Sequence, residues 1–125
     1  MKEKKYIAVD LGATSGRVIL ATVSETGMNM ETVHRFPTPL IKVSGKFYWN
    51  IYSLYDEIVK GLTKLSGTKV ESIGIDTWGV DFACVAKDGT LSLPRAYRDP
   101  YTDGIPEKFF KHMSREELSR RTGIQ

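Results

Sequence analysis

The residues with the clearest chemical use lie in one short segment near the N-terminus, Asp10-Leu-Gly-Ala-Thr-Ser-Gly-Arg17. It holds two glycines, which let backbone N–H groups approach an anion closely, and two hydroxyl residues, which add donors. These residues are Gly12, Thr14, Ser15 and Gly16. Because a concave run of N–H groups binds phosphate oxygens, the segment predicts a phosphate-binding turn in which Arg17 either adds positive charge or braces the chain.

Asp10 predicts a metal ion beside this turn. A carboxylate repels a bare phosphate, so its expected partner is a hydrated Mg2+ that bridges it to a nucleotide, since Mg2+ prefers oxygen ligands and keeps several waters. A second acid, Asp76, ends another apolar run. The alternative is that glycine, serine and threonine occur here only because a hairpin needs turn formers. The combination of acids, glycines and hydroxyls at fixed offsets favours phosphate.

The apolar pattern predicts the elements that position these residues. Short runs rich in branched side chains predict strands over residues 6–10, 17–23 and 28–36, which form an antiparallel meander. Asn50 is the expected N-cap of an amphipathic helix. The strand over residues 70–76 follows this crossover helix and should lie parallel to the first strand. The two strand-end acids then share one crevice, at the edge where ligands of open α/β sheets bind.

The remainder of the chain predicts shorter elements. A strand over residues 82–86 and a partner over residues 91–97 should flank a tight turn at Asp88-Gly89. Pro106 at the start of one helix and the capping box Ser114-x-x-Glu117 at the start of another predict two short helices before the chain ends.

Composition sets the broad class. With 125 residues, 41% hydrophobic and 26% charged, the chain fits one ordinary globular domain. The net charge of +3 is slight, and no basic stripe with interleaved aromatics predicts nucleic-acid binding. No apolar stretch predicts a membrane span or a signal peptide. Cys84 is the one cysteine, so an internal disulfide is excluded, and we expect this residue to lie in the core. A chain with no disulfide, no predicted membrane span and no predicted signal peptide is expected in the cytoplasm.

Two motifs resemble a known family. Asp10-x-Gly-x-Thr-x-x-Arg17 resembles the first phosphate motif of the actin, Hsp70 and hexokinase superfamily. Ile73-Gly-Ile-Asp-Thr-Trp-Gly-Val-Asp-Phe82, followed by Ala96-Tyr-Arg-Asp99, is more specific and resembles the FGGY carbohydrate kinases. The resemblance covers essentially the whole chain, through Arg121-Thr-Gly-Ile-Gln125. Tyr101 departs from it, since an arginine is expected there.

The resemblance implies a fold and an activity. The expected fold is α/β, a ribonuclease-H-like mixed sheet with flanking helices, of which residues 1–125 form the incomplete N-terminal portion of the first kinase domain. The expected reaction is transfer of the γ-phosphate of ATP to the primary hydroxyl of L-rhamnulose, giving L-rhamnulose 1-phosphate, with Mg2+ as cofactor. The catalytic base and most of the adenosine pocket are expected beyond Gln125. We therefore expect no catalytic residue in this chain, and negligible kinase activity from it alone.

The resemblance also implies site residues. The stretch that matches the ATP phosphate-binding positions is Ala13, Thr14, Ser15, Gly16 and Arg17. Gly79 matches a sugar-binding position. Beside it, Trp78 could pack against the apolar side of a sugar and Asp81 could accept hydroxyl hydrogen bonds. The alternatives are that Trp78 is core and that Asp81 caps a turn.

Three other interpretations remain open on the sequence. The chain could come from a kinase for another ketose sugar, although the Trp78–Asp81 segment argues against this. It could be a non-catalytic nucleotide- or anion-binding module, or a fragment with no function of its own. In the kinase interpretation the partners are a small sugar and ATP, with neither nucleic acid nor membrane, and we expect self-association through uncovered apolar faces.

Overall fold

The computed structural model describes residues 2–124, so that Met1 and Gln125, the ends of the predicted domain, lie outside the described residues. Its strands are β1 (Lys4–Leu11), β2 (Ser15–Ser24), β3 (Gly27–Pro37), β4 (Leu40–Val43), β5 (Lys46–Trp49) and β6 (Ser72–Asp76). Its helices are α1 (Ile51–Thr63), α2 (Ile105–Phe109) and α3 (Arg115–Thr122), with a 3-10 turn at Pro100–Thr102. None of the helices within residues 2–124 has the length and apolar character needed to cross a membrane.

The main sheet has the strand order β3-β2-β1-β6. The first three strands form an antiparallel meander, with a register shift between Val18 and Ile19, and β6 pairs with β1 in parallel. The predicted meander, crossover helix and parallel strand are therefore confirmed. Strands β1, β2 and β3 are longer than predicted, whereas β6 begins at Ser72 instead of residue 70. Because β2 begins at Ser15, the turn between β1 and β2 contains only residues 12–14.

One face of the sheet packs on α1. The buried core residues are Ile7, Val9, Val18, Phe36 and Leu54. Ile7 and Val9 alternate with the exposed Ala8 along β1, as a half-buried strand requires, and Leu54 lies on the facing side of α1. The helix approaches β2 closely at Gly61, where an added Cβ would lie 2.5 Å from Val18 Cγ2. Asn50 caps α1 as predicted, since its Oδ1 accepts the Ser53 N–H at 3.2 Å.

A second hairpin, β4–β5, was not predicted from the sequence. Its two-residue turn has Ser44 and Gly45 at φ values of 49° and 79°, both in the left-handed region that tight hairpins use. Ala96 donates its N–H to Phe47 O, and Trp49 to Pro94 O, each at 3.0 Å. The hairpin is thus tied to the segment that follows the sheet rather than to the sheet itself.

The predicted strands over residues 82–86 and 91–97 are wrong. In the part of the chain that the structure describes, these segments form isolated bridges, Val85 with Leu91 and Arg95 with Tyr48, instead of strands. The predicted pairing cannot extend along the second segment, because Pro94 O and the Ala96 N–H are already bonded to β5. The predicted turn survives, with Gly89 at φ 85°. Cys84, expected in the core, is exposed.

The two predicted C-terminal helices are confirmed. Ser114 Oγ accepts the Glu117 N–H at 3.1 Å, which caps α3, and Gly123 ends the helix in the left-handed conformation. The carboxylate of Glu117 binds Arg120 and Arg121 instead of returning to the cap, so the capping box is only half formed.

Candidate phosphate and sugar site

The two strand-end acids are neighbours. Asp10 and Asp76 are register partners at the carboxyl ends of the parallel strands β1 and β6. Both are hydrophilic groups at the end of short apolar runs, and the crossover through α1 brings the ends together. This confirms the predicted juxtaposition and places two carboxylates at the edge where ligands of open α/β sheets bind.

Arg17 pairs with Asp10 across the β1–β2 hairpin. The two residues are register partners, and Arg17 Nε donates to Asp10 Oδ2 at 3.1 Å, with a second contact from the same guanidinium. The side chain of Arg17 is 44% exposed to solvent and that of Asp10 is 34% exposed. Such an exposed pair contributes about 1 kcal/mol or less to stability. Of the two predicted roles, Arg17 therefore performs the bracing role in this conformation, and Asp10 cancels much of its charge.

Hydrogen bonds to its backbone carbonyl groups hold the turn between β1 and β2 in place. Gly12 donates its N–H to Ser15 O at 3.1 Å, which closes the turn. Thr38, just after β3, donates its N–H to Thr14 O at 3.2 Å and its hydroxyl to Gly12 O at 2.9 Å. Within residues 2–124, no turn or loop hydrogen bond is donated by the N–H of Ala13 or Thr14. The predicted phosphate loop thus has backbone donors that the sheet does not consume.

The glycines of this loop are explained by packing rather than by backbone conformation. Neither Gly12 nor Gly16 has a positive φ. A Cβ on Gly16 would lie 2.4 Å from the Phe36 ring, and one on Gly12 would lie 3.0 Å from Ser15 O. A side chain at position 16 would therefore clash with the core, whereas a Cβ at position 12 would make a tight contact with the turn.

Arg35 brings a further positive charge to the loop. It lies on β3 opposite Arg17, and its guanidinium donates to Ser15 Oγ at 3.2 Å. Sequence reasoning missed Arg35 because it stands far from the motif. The signal that could have found it is the meander itself, since a β2–β3 register places an exposed β3 residue beside the turn.

A cavity of about 180 Å3 adjoins the loop. It is lined by Leu11, Trp49, Ile51, Leu54, Thr77, Trp78, Asp81, Phe82, Ala83 and Pro94. Leu11 immediately precedes the loop, and Thr77 immediately follows the acid that ends β6. The walls are mainly apolar, with one carboxylate, as in sites that hold a small polar ligand against an aromatic face.

A larger open groove, of about 700 Å3, lies at the opposite end of β1. It is formed by residues at the start of β1, such as Lys2 and Lys5, and by the connection that precedes β6. Because ligands of open α/β sheets bind at the carboxyl ends of the strands, the smaller cavity is the candidate site.

Trp78 is half-buried and packs against Trp49, with ring centroids 4.2 Å apart. It contacts the core and lines the cavity at the same time. The core and sugar-contact interpretations of Trp78 are therefore compatible.

Asp81 is held by protein donors on one oxygen only. Its Oδ2 accepts Trp49 Nε1 at 2.5 Å and the Tyr97 N–H at 3.0 Å. Its Oδ1 is buried and has no hydrogen-bond partner among residues 2–124. A buried carboxylate oxygen without a donor costs free energy, and a ligand hydroxyl is one group that could supply the missing bond.

Gly79 has no structural requirement for glycine. It is exposed, its φ is not positive, and an added Cβ would meet nothing within 4 Å. The turn would therefore accept a side chain, which leaves access to a ligand as a physical reason for its absence.

Asp99 is the buried acid behind the cavity, and sequence reasoning assigned it no role. It is 3% exposed and accepts the Phe47 and Tyr101 N–H groups as well as the Arg95 guanidinium. These donors, led by the Phe47 N–H, hold the pKa of Asp99 below its ordinary value. Tyr101, which stands where an arginine was expected, receives the Arg95 guanidinium over its ring at 4.3 Å. Its visible role is thus to hold Arg95.

The donor set for a metal is small. Within the described residues no group of three or more His, Cys, Asp or Glu side chains could enclose a metal ion. Asp10 and Asp76 side by side fit a Mg2+ ion that keeps most of its water ligands, as Mg2+ does when phosphates supply the remaining oxygens.

Comparison with solved structures identifies the fold. A gluconate kinase from Lactobacillus acidophilus superposes with a TM-score of 0.75 at 17% identity, over 98% of this chain and 25% of that one. A xylulose kinase from the same organism gives 0.66 at 16% identity, over 94% of this chain and 24% of that one. The predicted fold class, a ribonuclease-H-like mixed sheet with flanking helices, is confirmed, and it is the fold of carbohydrate kinases.

Sequence relatives are more specific. A curated rhamnulokinase of Bacteroides thetaiotaomicron is 54% identical over 98% of this chain and 26% of its own length. Rhamnulokinases of Mannheimia succiniciproducens and Oceanobacillus iheyensis are 44% and 43% identical, over 94% and 95% of this chain. No protein-family profile matches. The predicted resemblance to rhamnulokinase within the FGGY carbohydrate kinases is confirmed. The chain spans about 26% of the length of these relatives.

Proposed function

We propose that this chain forms the phosphate- and sugar-binding corner of a kinase that transfers the γ-phosphate of ATP to the primary hydroxyl of L-rhamnulose, giving L-rhamnulose 1-phosphate. The observation that carries the proposal is that the cavity and the loop lie next to each other. Leu11 lines the cavity and Gly12 begins the loop with unused N–H groups, so a phosphate donor and a sugar would meet at the ends of β1 and β6. The choice of L-rhamnulose as the substrate rests on the names of the sequence relatives, which are rhamnulokinases.

In this proposal the loop from Ala13 to Arg17 binds the ATP phosphates. The amides of Ala13 and Thr14 donate to phosphate oxygens, and the Ser15 hydroxyl and the nearby Arg35 add further donors. Asp10 holds Mg2+ through water, and when bound the ion would offset the charge of the phosphates. The Asp10–Arg17 pair keeps the carboxylate in place at the start of the loop.

The sugar lies in the cavity beside Trp78. The indole packs against the less polar face of the sugar, and Asp81 Oδ1 accepts a sugar hydroxyl, which supplies the donor that the protein does not. Gly79, which follows Trp78 in the chain, adds no side chain beside it. The same arrangement would suit a kinase for another ketose, and a substrate panel on the full enzyme separates these possibilities.

The 125-residue polypeptide alone is proposed to be inactive. Phosphoryl transfer depends on positioning and on charge stabilisation in a closed site, and the cavity here is open to solvent. We assign the general base to a part of the kinase outside residues 1–125, and we place the whole enzyme in the cytoplasm. A coupled assay of ADP release with L-rhamnulose tests this, and turnover by the purified chain that depends on sugar would refute it.

The sugar site is tested by tryptophan fluorescence. L-rhamnulose should change the emission of the Trp49–Trp78 pair in the wild type. Gly79→Ala should weaken this response while leaving the thermal midpoint unchanged, because its Cβ has free space. Gly74→Ala is the matched control, since it adds the same methyl group to open space on β6. An unchanged response in Gly79→Ala removes Gly79 from the site. A wild type that responds to inorganic triphosphate but to no sugar would support an anion-binding module instead.

A further inference from the structure

Pro37-Thr38-Pro39 lies directly behind the phosphate loop. Thr38 is 4% exposed and, with Asp99, is one of the buried polar residues of the described chain. The proline rings fix the backbone on both sides, and a residue that precedes proline is restricted to extended conformations. Thr38 is therefore held in place before any ligand binds.

Both donors of Thr38 are used on the loop. Its N–H binds Thr14 O and its hydroxyl binds Gly12 O. The described peptide bonds include no cis bond, so in each peptide unit the C=O and the following N–H point in opposite directions. With the Gly12 carbonyl directed at Thr38, the N–H of Ala13 is directed away from it, toward the outer side of the turn.

We propose that Thr38 is a positioning residue for phosphate: by binding the carbonyls of Gly12 and Thr14 it holds the turn and presents the Ala13 amide outward as part of a preformed anion cradle. This inference rests on the proposed phosphate-binding function of the loop. Without the hydroxyl of Thr38, the Gly12 carbonyl would lose its donor, and the Gly12–Ala13 peptide unit could rotate and remove one amide from the cradle.

The test is a titration of the isotope-labelled chain with inorganic tripolyphosphate, followed through the amide resonances of residues 12–16. Thr38→Val keeps the shape and removes the hydroxyl, whereas Thr38→Ser keeps the hydroxyl. We expect Thr38→Val to weaken binding by about tenfold, as for the loss of one buried hydrogen bond, and Thr38→Ser to restore it. Thr63→Val is the matched control, because it removes a hydroxyl bond to Val59 O on the exposed side of α1.

The outcomes separate the two claims. Equal binding by wild type and Thr38→Val overturns the role of Thr38 and leaves the phosphate loop standing. No binding by the wild type overturns the loop and, with it, the role of Thr38. If Thr38→Val does not fold, the wild type still tests the proposal. The hydrogen bond from Thr38 N–H to Thr14 O should give a measurable scalar coupling between the Thr38 amide nitrogen and the Thr14 carbonyl carbon. Absence of that coupling, or an Ala13 amide that tripolyphosphate does not shift, refutes the proposal.

Discussion

The carboxylate of Asp99 accepts the backbone N–H of Phe47 at 2.7 Å, which joins β5 to a segment much later in the chain. The same carboxylate accepts Arg95, and the Arg95 guanidinium lies over Tyr101. Pro94, the residue before Arg95, lines the candidate cavity together with Trp49 at the end of β5. Asp99 therefore fixes the distance between two walls of the candidate site.

The first prediction concerns acid stability. The pKa of Asp99 is lowered in the folded chain, chiefly by the Phe47 N–H, so its charged form stabilises the fold above its ordinary pKa, and this contribution is lost as pH falls through the lower folded value. Asp99→Asn should lower the free energy of unfolding near neutral pH and flatten its decline in acid. Urea unfolding at several pH values measures both effects. Asp103→Asn, on the exposed surface, is the control, and parallel acid profiles for wild type and Asp99→Asn would contradict the prediction.

The second prediction concerns the contact between α1 and the sheet. Alanine is favoured over glycine in a helix by about 1 kcal/mol, which alone would make Gly61→Ala stabilising. The new Cβ would lie 2.5 Å from Val18 Cγ2 and 2.9 Å from Val18 Cβ, and overpacking a core costs about 1–3 kcal/mol. We expect the clash to exceed the helical gain and the midpoint of urea unfolding to fall. Gly74→Ala, where the methyl has free space, should not be destabilising, and a more stable Gly61→Ala would show that the helix can move away.

The third prediction concerns the start of α1. Asn50 Oδ1 accepts the Ser53 N–H at 3.2 Å, directly after Trp49 of the cavity wall. Asn50→Ala should destabilise the chain by about 1 kcal/mol, whereas Asn50→Ser should retain most of the stability, because serine also caps helices. Thermal unfolding compares the two variants. Equal losses would mean that the cap bond contributes little and that the side chain acts by packing.

The fourth prediction concerns association. β6 is an edge strand, and Ile73 and Ile75 are 51% and 64% exposed on it. Exposed apolar edge strands pair with other chains, and a lysine on the edge opposes this. Sedimentation velocity should show oligomers that increase with concentration, and Ile75→Lys should shift them to monomer.

The matched control for association is Val43→Lys, which places the same charge on an exposed apolar residue of the β4–β5 hairpin. It should leave the oligomers in place. A clean wild-type monomer at high concentration in light scattering would refute association altogether.

The sequence was sufficient for the main sheet because its signals are local. Branched apolar runs, the Asn50 cap and the periodicity of α1 each act within a few residues, and the crossover rule then fixes the parallel pairing of β1 with β6. The β4–β5 hairpin also had a local signal, the Ser44-Gly45 turn, but its strands have only four residues each, too few for a clear alternation.

The errors and omissions involve partners that are distant in sequence. The segment over residues 91–97 alternates as a strand does, yet Pro94 O and the Ala96 N–H bond to β5, a competitor that no local pattern reveals. For the same reason the motif identified the loop but not Arg35 or Thr38. Arg35 reaches the loop from β3, and Thr38 reaches it from the residues that directly follow β3. Asp81 could be assigned by its neighbours in the motif, but the hydrogen bond that its other carboxylate oxygen, Oδ2, accepts from Trp49 joins residues that are far apart in the sequence.

The pairing of β1 with β6 also has a consequence for the order of folding. The β1–β2–β3 meander closes short loops, whereas the β1–β6 ladder must wait until the intervening hairpin and helix have been ordered, because closing longer loops costs more chain entropy. During synthesis the turn at residues 12–14 would therefore be shaped early, and the neighbouring acid at the end of β6 would arrive late. A nascent chain would form the turn that we propose as an anion cradle first, and the second carboxylate would join it only when the ladder closes.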